Sequence, residues 1–142
     1  MHLLKIYAVS AIALVTILFT QLSIAQGAYE DELREHGSTL RSLMFQGEKL
    51  RPESQEAAEV IAKLFELSKR LHRLEEEAYS TAIKVQQSTG RAEPVLYRVV
   101  AIAKAMDMAQ QLTAFYVKTR DRVMLVEANR IAQSARTLLE AK

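Results

Sequence analysis

The side chains with the clearest potential for chemistry are histidines with carboxylates at helical spacing. Glu32 lies four residues before His36, and Glu76 lies four residues after His72. Imidazole and carboxylate groups bind divalent transition metals, so these four residues form a weak candidate metal site if Glu32 approaches His72 across two neighbouring helices. Pairs at this spacing are also common on exposed helix faces. We favour this surface interpretation and expect no resident metal.

Haem is the second ligand for which the sequence offers candidate residues. His36 with Met106 or Met108 would be a His and Met axial pair. The chain contains no Cys, which excludes disulfides and covalent haem attachment through Cys-x-x-Cys-His. No His follows His72. Methionines at helical spacing usually fill cores, so the sequence predicts no haem or other cofactor.

Motifs for catalysis are missing from the sequence. No Ser lies in a Gly-x-Ser-x-Gly elbow, and no glycine-rich phosphate loop occurs. The run Glu75 to Glu77 is typical of a solvated helix face and not of paired carboxylates in an enclosed cleft. We therefore expect that the protein is not an enzyme.

The distribution of charge argues against nucleic acid as a partner. Lys and Arg number 19 against 17 acids, a net charge of +2, and both signs are interleaved. The densest basic cluster, Lys69, Arg70 and Arg73, is followed directly by three glutamates at positions 75–77. Nucleic-acid binding needs a concentrated basic face that displaces counterions from phosphates, and the sequence lacks one.

Residues 1–25 have the features of an export signal. Lys5 precedes an apolar stretch over residues 6–19, and Ser23 and Ala25 are small residues at the spacing that signal peptidase requires. The sequence predicts cleavage after Ala25 and one periplasmic or secreted domain over 26–142. The alternative is an uncleaved single-pass anchor in the inner membrane, with the domain outside the cytoplasm and no other membrane contact.

All elements after the leader are predicted to be helical, because apolar residues recur at helical spacing and no strand-length alternation occurs. The first helix is expected to begin near Ala28, because the acidic residues that follow favour a helix N-terminus. These residues are Glu30, Asp31, Glu32 and Glu35. The second should begin at Pro52 and end at Gly90, and the third should begin at Pro94. The seam of the first helix alternates steps of four and three, as in coiled coils. It contains Tyr29, Leu33, His36, Leu40, Leu43, Gly47 and Leu50.

The length of the last segment leaves two architectures open within one fold class, a small antiparallel all-α bundle. Residues 94–141 form either one helix about 70 Å long, giving three long helices, or two helices separated by a turn within 118–122. Helix breaks usually have an identifiable cause, and residues 118–122 include neither Gly nor Pro. The sequence therefore favours three helices.

A second apolar stripe accompanies the main seam of the last segment, and the first helix or another protein must cover it. We take it as the candidate surface for a protein partner or a second copy. The functional prediction is an exported, non-enzymatic adaptor, chaperone-like binder or structural subunit of a cell-envelope assembly. The alternative is a bundle that holds a metal, haem or small apolar ligand between its helices. The candidate partner-binding residues are Met108, Leu112, Phe115, Tyr116, Val123 and Val126.

Overall fold

A computed structural model describes the backbone of residues 2–141 and the side chains of residues 20–141. Its elements are α1 (His2–Lys49), α2 (Gln55–Thr89), α3 (Pro94–Thr119) and α4 (Arg122–Glu140). No strand occurs among residues 2–141. The predicted all-α fold is confirmed, in its four-helix form.

Helix α1 is continuous through the point at which a new helix was expected. The prediction that a helix begins near Ala28 is wrong, because α1 runs unbroken from His2 to Lys49. Two of the acidic residues that follow Ala28 have a different role. Glu30 accepts a hydrogen bond from Arg98 of α3 at 3.0 Å, and Glu32 accepts one from Arg73 of α2 at 2.7 Å. These acids connect helices and do not mark a helix start.

The leader prediction falls mostly on residues 1–19, whose side chains lie outside the described part of the chain. Its cleavage site and its alternative role as an anchor stay predictions. Among residues 20–141, no helix contains an 18-residue stretch apolar enough to cross a membrane.

Helix α2 begins three residues later than predicted and ends where predicted. The Ser54 hydroxyl accepts a hydrogen bond from the Ala57 amide at 3.1 Å, so Ser54 is the N-cap and Pro52 lies in the preceding turn. Gly90 has φ 68° and donates its amide to the Gln86 carbonyl at 2.8 Å, which is the expected left-handed cap. Pro94 opens α3, as predicted.

The last segment breaks at Arg120 and Asp121, so the preference for three helices is wrong. Arg120 adopts the left-handed conformation with φ 60°, and its amide donates to the Tyr116 carbonyl at 2.7 Å. Asp121 then caps α4 by accepting the Val123 amide at 2.9 Å. The Arg120 guanidinium also donates to the Gly47 carbonyl of α1 at 2.8 Å. A cap residue and a tertiary contact thus replace the glycine or proline that residues 118–122 lack.

Helix α3, like α1, contacts each of the other three helices. Helix α1 runs parallel to it, since Glu30 lies beside Arg98 and Gly47 lies beside Arg120. Helices α2 and α4 lie on either side of this pair, and no contact between them occurs among the described residues. In a square four-helix bundle, parallel helices lie diagonally opposite each other. In this protein the parallel helices α1 and α3 are in direct contact.

The predicted seams supply most of the core. Leu33, Leu40 and Leu43 of α1 are buried, and α2 contributes a row of leucines. Two polar residues in the buried seam of α3 have local partners: Gln110 donates to Asp107 at 3.0 Å, and Thr113 donates to the Ala109 carbonyl at 2.8 Å. Buried side-chain polar atoms in the described part of the chain all have partners. The polar seam residues therefore stay in the core without an unpaired group.

The approach of α1 to α3 makes two glycines of α1 differ sharply in their tolerance to substitution. A Cβ at Gly47 would lie 2.7 Å from Cγ2 of Val117, whereas one at Gly37 would meet only the terminal methyl of Met106 at 3.2 Å. Val is stiff at χ1, and a methionine methyl group can move aside.

We expect Gly47→Ala to lower the free energy of unfolding by about 1–3 kcal/mol through overpacking, measured by urea denaturation. Gly37→Ala is the matched control. It should be neutral or stabilising by up to about 1 kcal/mol, because Ala favours the helix interior. Equal effects of the two substitutions would contradict the proposed close contact at Gly47.

Candidate functional site

The first candidate pair, Glu32 and His36, is engaged in contacts between helices. His36 is only 4% exposed, and its Nε2 lies 3.2 Å from Oε1 of Glu32. The same carboxylate oxygen accepts a hydrogen bond from Nη2 of Arg73 at 2.7 Å. Glu32 therefore connects a buried imidazole of α1 to a guanidinium of α2.

The second pair lies apart on the surface of α2. His72 Nε2 is 3.3 Å from Glu76 Oε1, its Nδ1 is 3.9 Å from Glu75 Oε2, and its side chain is 64% exposed. Glu32 contacts Arg73 and not the neighbouring His72. Within residues 20–141, no group of three or more His, Cys, Asp or Glu side chains is arranged to hold a metal ion. The four metal candidates thus form two separate pairs.

The two methionines weighed as haem ligands point in different directions. Met106 is 3% exposed and packs towards Gly37 of α1, while Met108 is 54% exposed. At about 100° per residue, Met108 lies about 200° around α3 from Met106. Only Met106 is therefore on the side of α3 that faces α1, where His36 is buried.

The candidate partner-binding residues are mostly exposed, with two exceptions. Leu112 is half-buried against the core, and Tyr116 is 8% exposed, with the Arg120 guanidinium 5.0 Å from its ring centroid. Tyr116 was a candidate partner-binding residue and is instead part of the core. The other four are Met108 (54% exposed), Phe115 (50%), Val123 (69%) and Val126 (67%).

The helix break divides these four residues between α3 and α4. Met108 and Phe115 lie about 200° and 180° around α3 from Met106, which faces α1. Helix α1 therefore cannot cover either side chain, which removes one of the two ways in which the sequence could bury the stripe. Val123 and Val126 are exposed in the first turns of α4.

One exposed residue beside Met108 and Phe115 was missed by sequence reasoning. Phe65 of α2 follows the buried Leu64 directly in the chain, yet it is 62% exposed. Ser68 donates to Asp107 of α3 at 2.6 Å, and this register places Phe65, one turn earlier, level with the interval between Met108 and Phe115. The 4-3-4-3 spacing of Val60, Leu64, Leu67, Leu71 and Leu74 was the available signal, because Phe65 stands outside it.

Phe65, Met108 and Phe115 are hereafter called the outer patch. Phe65 lies about 60° around α2 from Ser68, which faces α3, and about 140° from Val60, which lies near Gly47 of α1. It therefore projects on the side of α3 and away from α1. The outer patch is the surface that α2 and α3 present opposite α1.

Polar side chains adjoin the outer patch. Lys69 lies over the Phe65 ring with Nζ 5.1 Å from its centroid and pairs with Glu66 at 2.8 Å. Lys104 of α3 pairs with Glu75 of α2 at 3.2 Å. Apolar surface beside charged groups in this way is typical of protein interaction sites.

Comparison with known proteins identified no relative of this chain. No protein-family model matches the chain, and no curated protein or solved structure is significantly similar to it.

The separation of the two His and Glu pairs leads to a prediction about metal binding. We expect isothermal titration of the full chain with Zn²⁺ to give no stoichiometric heat, because neither pair offers the three or four ligands of a protein zinc site. The His36→Ala and His72→Ala double variant should titrate in the same way. Stoichiometric heat that this variant loses would contradict the surface interpretation.

Proposed function

We propose that this chain is an exported, non-enzymatic helical-bundle protein that binds a protein partner through the outer patch, as an adaptor, chaperone-like binder or subunit of a cell-envelope assembly. One observation carries the proposal. Three large apolar side chains, Phe65, Met108 and Phe115, lie on one face of the bundle and are each 50–62% exposed.

The free energy gained by covering the outer patch depends on how many large apolar side chains lie together in it. Covering the exposed half of a phenylalanine ring removes roughly 100 Å² from water, which is worth about 2.5 kcal/mol. A single exposed apolar residue is ordinary in soluble proteins. Two phenylalanines and a methionine together supply the kind of apolar cluster at which interface hot spots occur.

The absence of enzymatic chemistry is inferred from the residues available for it. The sequence has no cysteine nucleophile, serine elbow or phosphate loop. Two surface carboxylates form ion pairs with arginine side chains: Glu127 pairs with Arg130, and Glu140 pairs with Arg136. The pKa of Glu127 is lowered because Arg130 donates a hydrogen bond to it, which keeps this carboxylate ionised and unsuited to general acid catalysis.

Export and a periplasmic or secreted location are supported by the leader sequence. Lys5, the apolar stretch over 6–19 and the small residues Ser23 and Ala25 are the parts that signal peptidase recognises. A chain without Cys is equally compatible with an oxidising compartment, because it has no thiol to protect.

The outer patch leads to a prediction for crosslinking. A photoreactive phenylalanine analogue at position 115 or 65 should produce a discrete adduct in the cells that make the protein, because these side chains would lie within the interface. The same analogue at Phe45, which is 59% exposed on α1, is the matched control and should produce none. Adducts of equal yield at positions 45 and 115, or none at 65 and 115, would contradict the proposed surface.

Substitutions then separate the interface from the fold. Phe115→Glu should abolish the adduct formed from position 65 while leaving the free energy of unfolding within about 0.5 kcal/mol of the wild type, as is usual for surface positions. Val117→Glu, two residues away and fully buried, should unfold the chain. Circular dichroism during thermal melting measures both.

The leader leads to a separate prediction. Intact-mass measurement of the protein purified from the envelope of its own host should give a chain beginning at Gln26, because cleavage follows Ala25. An intact mass that includes residues 1–25, together with membrane association, would support the anchored alternative. Ala25→Arg is the control and should block the processing.

A further inference from the structure

A groove between α1 and α4 is the second surface with distinct chemistry, and it lies away from the outer patch. Helices α1 and α4 both pack on α3 but make few contacts with each other, which leaves a space of about 570 Å³ between them. Its floor is apolar and consists of Leu40 and Met44 from α1, Met106 from α3 and Leu139 from α4. Gly37 of α1 also lines the groove, beside the terminal methyl group of Met106.

The charges around this groove are uneven. Arg34 and Arg41 lie on the rim contributed by α1 and are exposed, and within residues 20–141 neither forms an ion pair with a carboxylate. Arg136 lies on the α4 rim and is paired with Glu140 at 2.7 Å. Glu48, near the C-terminal end of α1, is the second acid of the lining.

The three guanidinium groups act on one end of the groove. The pKa of Glu140 is lowered, first because Arg136 donates a hydrogen bond to it and also because of the positive charges of Arg136, Arg34 and Arg41. Their fields therefore meet where α4 ends. Glu140 is ion-paired with Arg136 and not with Arg34 or Arg41, so the guanidinium groups of these two arginines remain available to an anionic ligand.

The dimensions of the groove favour a small molecule over a helix of a partner. A volume of about 570 Å³ lies within the range of small-molecule sites. One turn of an α-helix with its side chains already occupies roughly 400–600 Å³, given a diameter of 10–12 Å and a pitch of 5.4 Å. A partner helix would therefore fill the space with a single turn.

We propose that the groove between α1 and α4 binds a single-chain anionic amphiphile of the fatty-acid class, with its carboxylate at Arg34 and Arg41 and its alkyl chain along Leu40 and Met44. Guanidinium groups form charge-assisted hydrogen bonds with carboxylates, and the apolar floor accommodates the methylene chain. This site does not depend on the outer patch or on a protein partner. It differs from a purely apolar ligand site because the head group must carry a charge.

The test is a calorimetric titration of the full chain with sodium dodecanoate below its micellar concentration. We expect saturable binding of one dodecanoate per chain. Methyl dodecanoate, which has the same chain without the charge, should bind at least about tenfold more weakly, because its ester cannot form the charge-assisted hydrogen bonds that a carboxylate accepts from guanidinium groups.

Variants assign the site. The Arg34→Gln and Arg41→Gln double variant should bind dodecanoate at least about tenfold more weakly than the wild type. The Arg70→Gln and Arg122→Gln double variant removes the same charge from exposed positions outside the groove, and its affinity should stay within about twofold. Thermal melting should be unchanged for both, since none of these four arginines forms an ion pair among residues 20–141.

Three results would overturn the proposal: no saturable binding, equal binding of the methyl ester, or equal loss of affinity in the two double variants. Phe115→Glu distinguishes the groove from the outer patch. If this variant loses dodecanoate binding while the Arg34 and Arg41 variant retains it, the ligand belongs to the outer patch and the groove proposal fails. Failure of partner crosslinking at positions 65 and 115 leaves the titration result unaffected.

Discussion

The direct contact between α1 and α3 is the constraint on which the other features depend. Two glycines of α1 lie against α3, and at Gly47 the space left by the missing side chain is occupied by Val117. Because α1 packs against this side of α3, the opposite side is not covered by α1. Met108 and Phe115 are exposed on that opposite side. The same contact separates α2 from α4, which lie on either side of the α1 and α3 pair. The close approach of α1 to α3 at Gly47 thus determines which apolar surface remains exposed.

The break at Arg120 and Asp121 depends on the same contact. A non-glycine residue with φ 60° is strained by about 1–2 kcal/mol. Arg120 offsets this strain with a hydrogen bond to the Gly47 carbonyl, 73 residues away in the chain, and with its position over the Tyr116 ring. Since α4 starts directly after this bend, the glycine contact also decides where the last helix folds back. Its return beside α3, with few contacts to α1, leaves the groove open.

The two exposed surfaces differ in chemistry in a way that suits different ligands. The outer patch is built from large apolar side chains of α2 and α3 beside paired charges, so water loss over a broad area would drive association. The groove between α1 and α4 is narrow and has arginines without carboxylate partners, so a charged head group would decide affinity there. One bundle can carry both surfaces because they lie on different sides of α3.

Local sequence determined the helical fold class, the buried seam of α1, the end of α2 at Gly90 and the start of α3 at Pro94. Each of these depends on spacing or on the backbone preference of one residue, which act over a few positions along the chain. The tertiary structure alone decided that Glu30 and Glu32 bind arginines of other helices, that Phe65 is exposed, that Tyr116 is buried and that a segment without Gly or Pro, residues 118–122, bends at Arg120. These outcomes depend on which helix lies beside which: the guanidinium of Arg120 donates a hydrogen bond to a carbonyl group of α1, a contact that local sequence does not reveal.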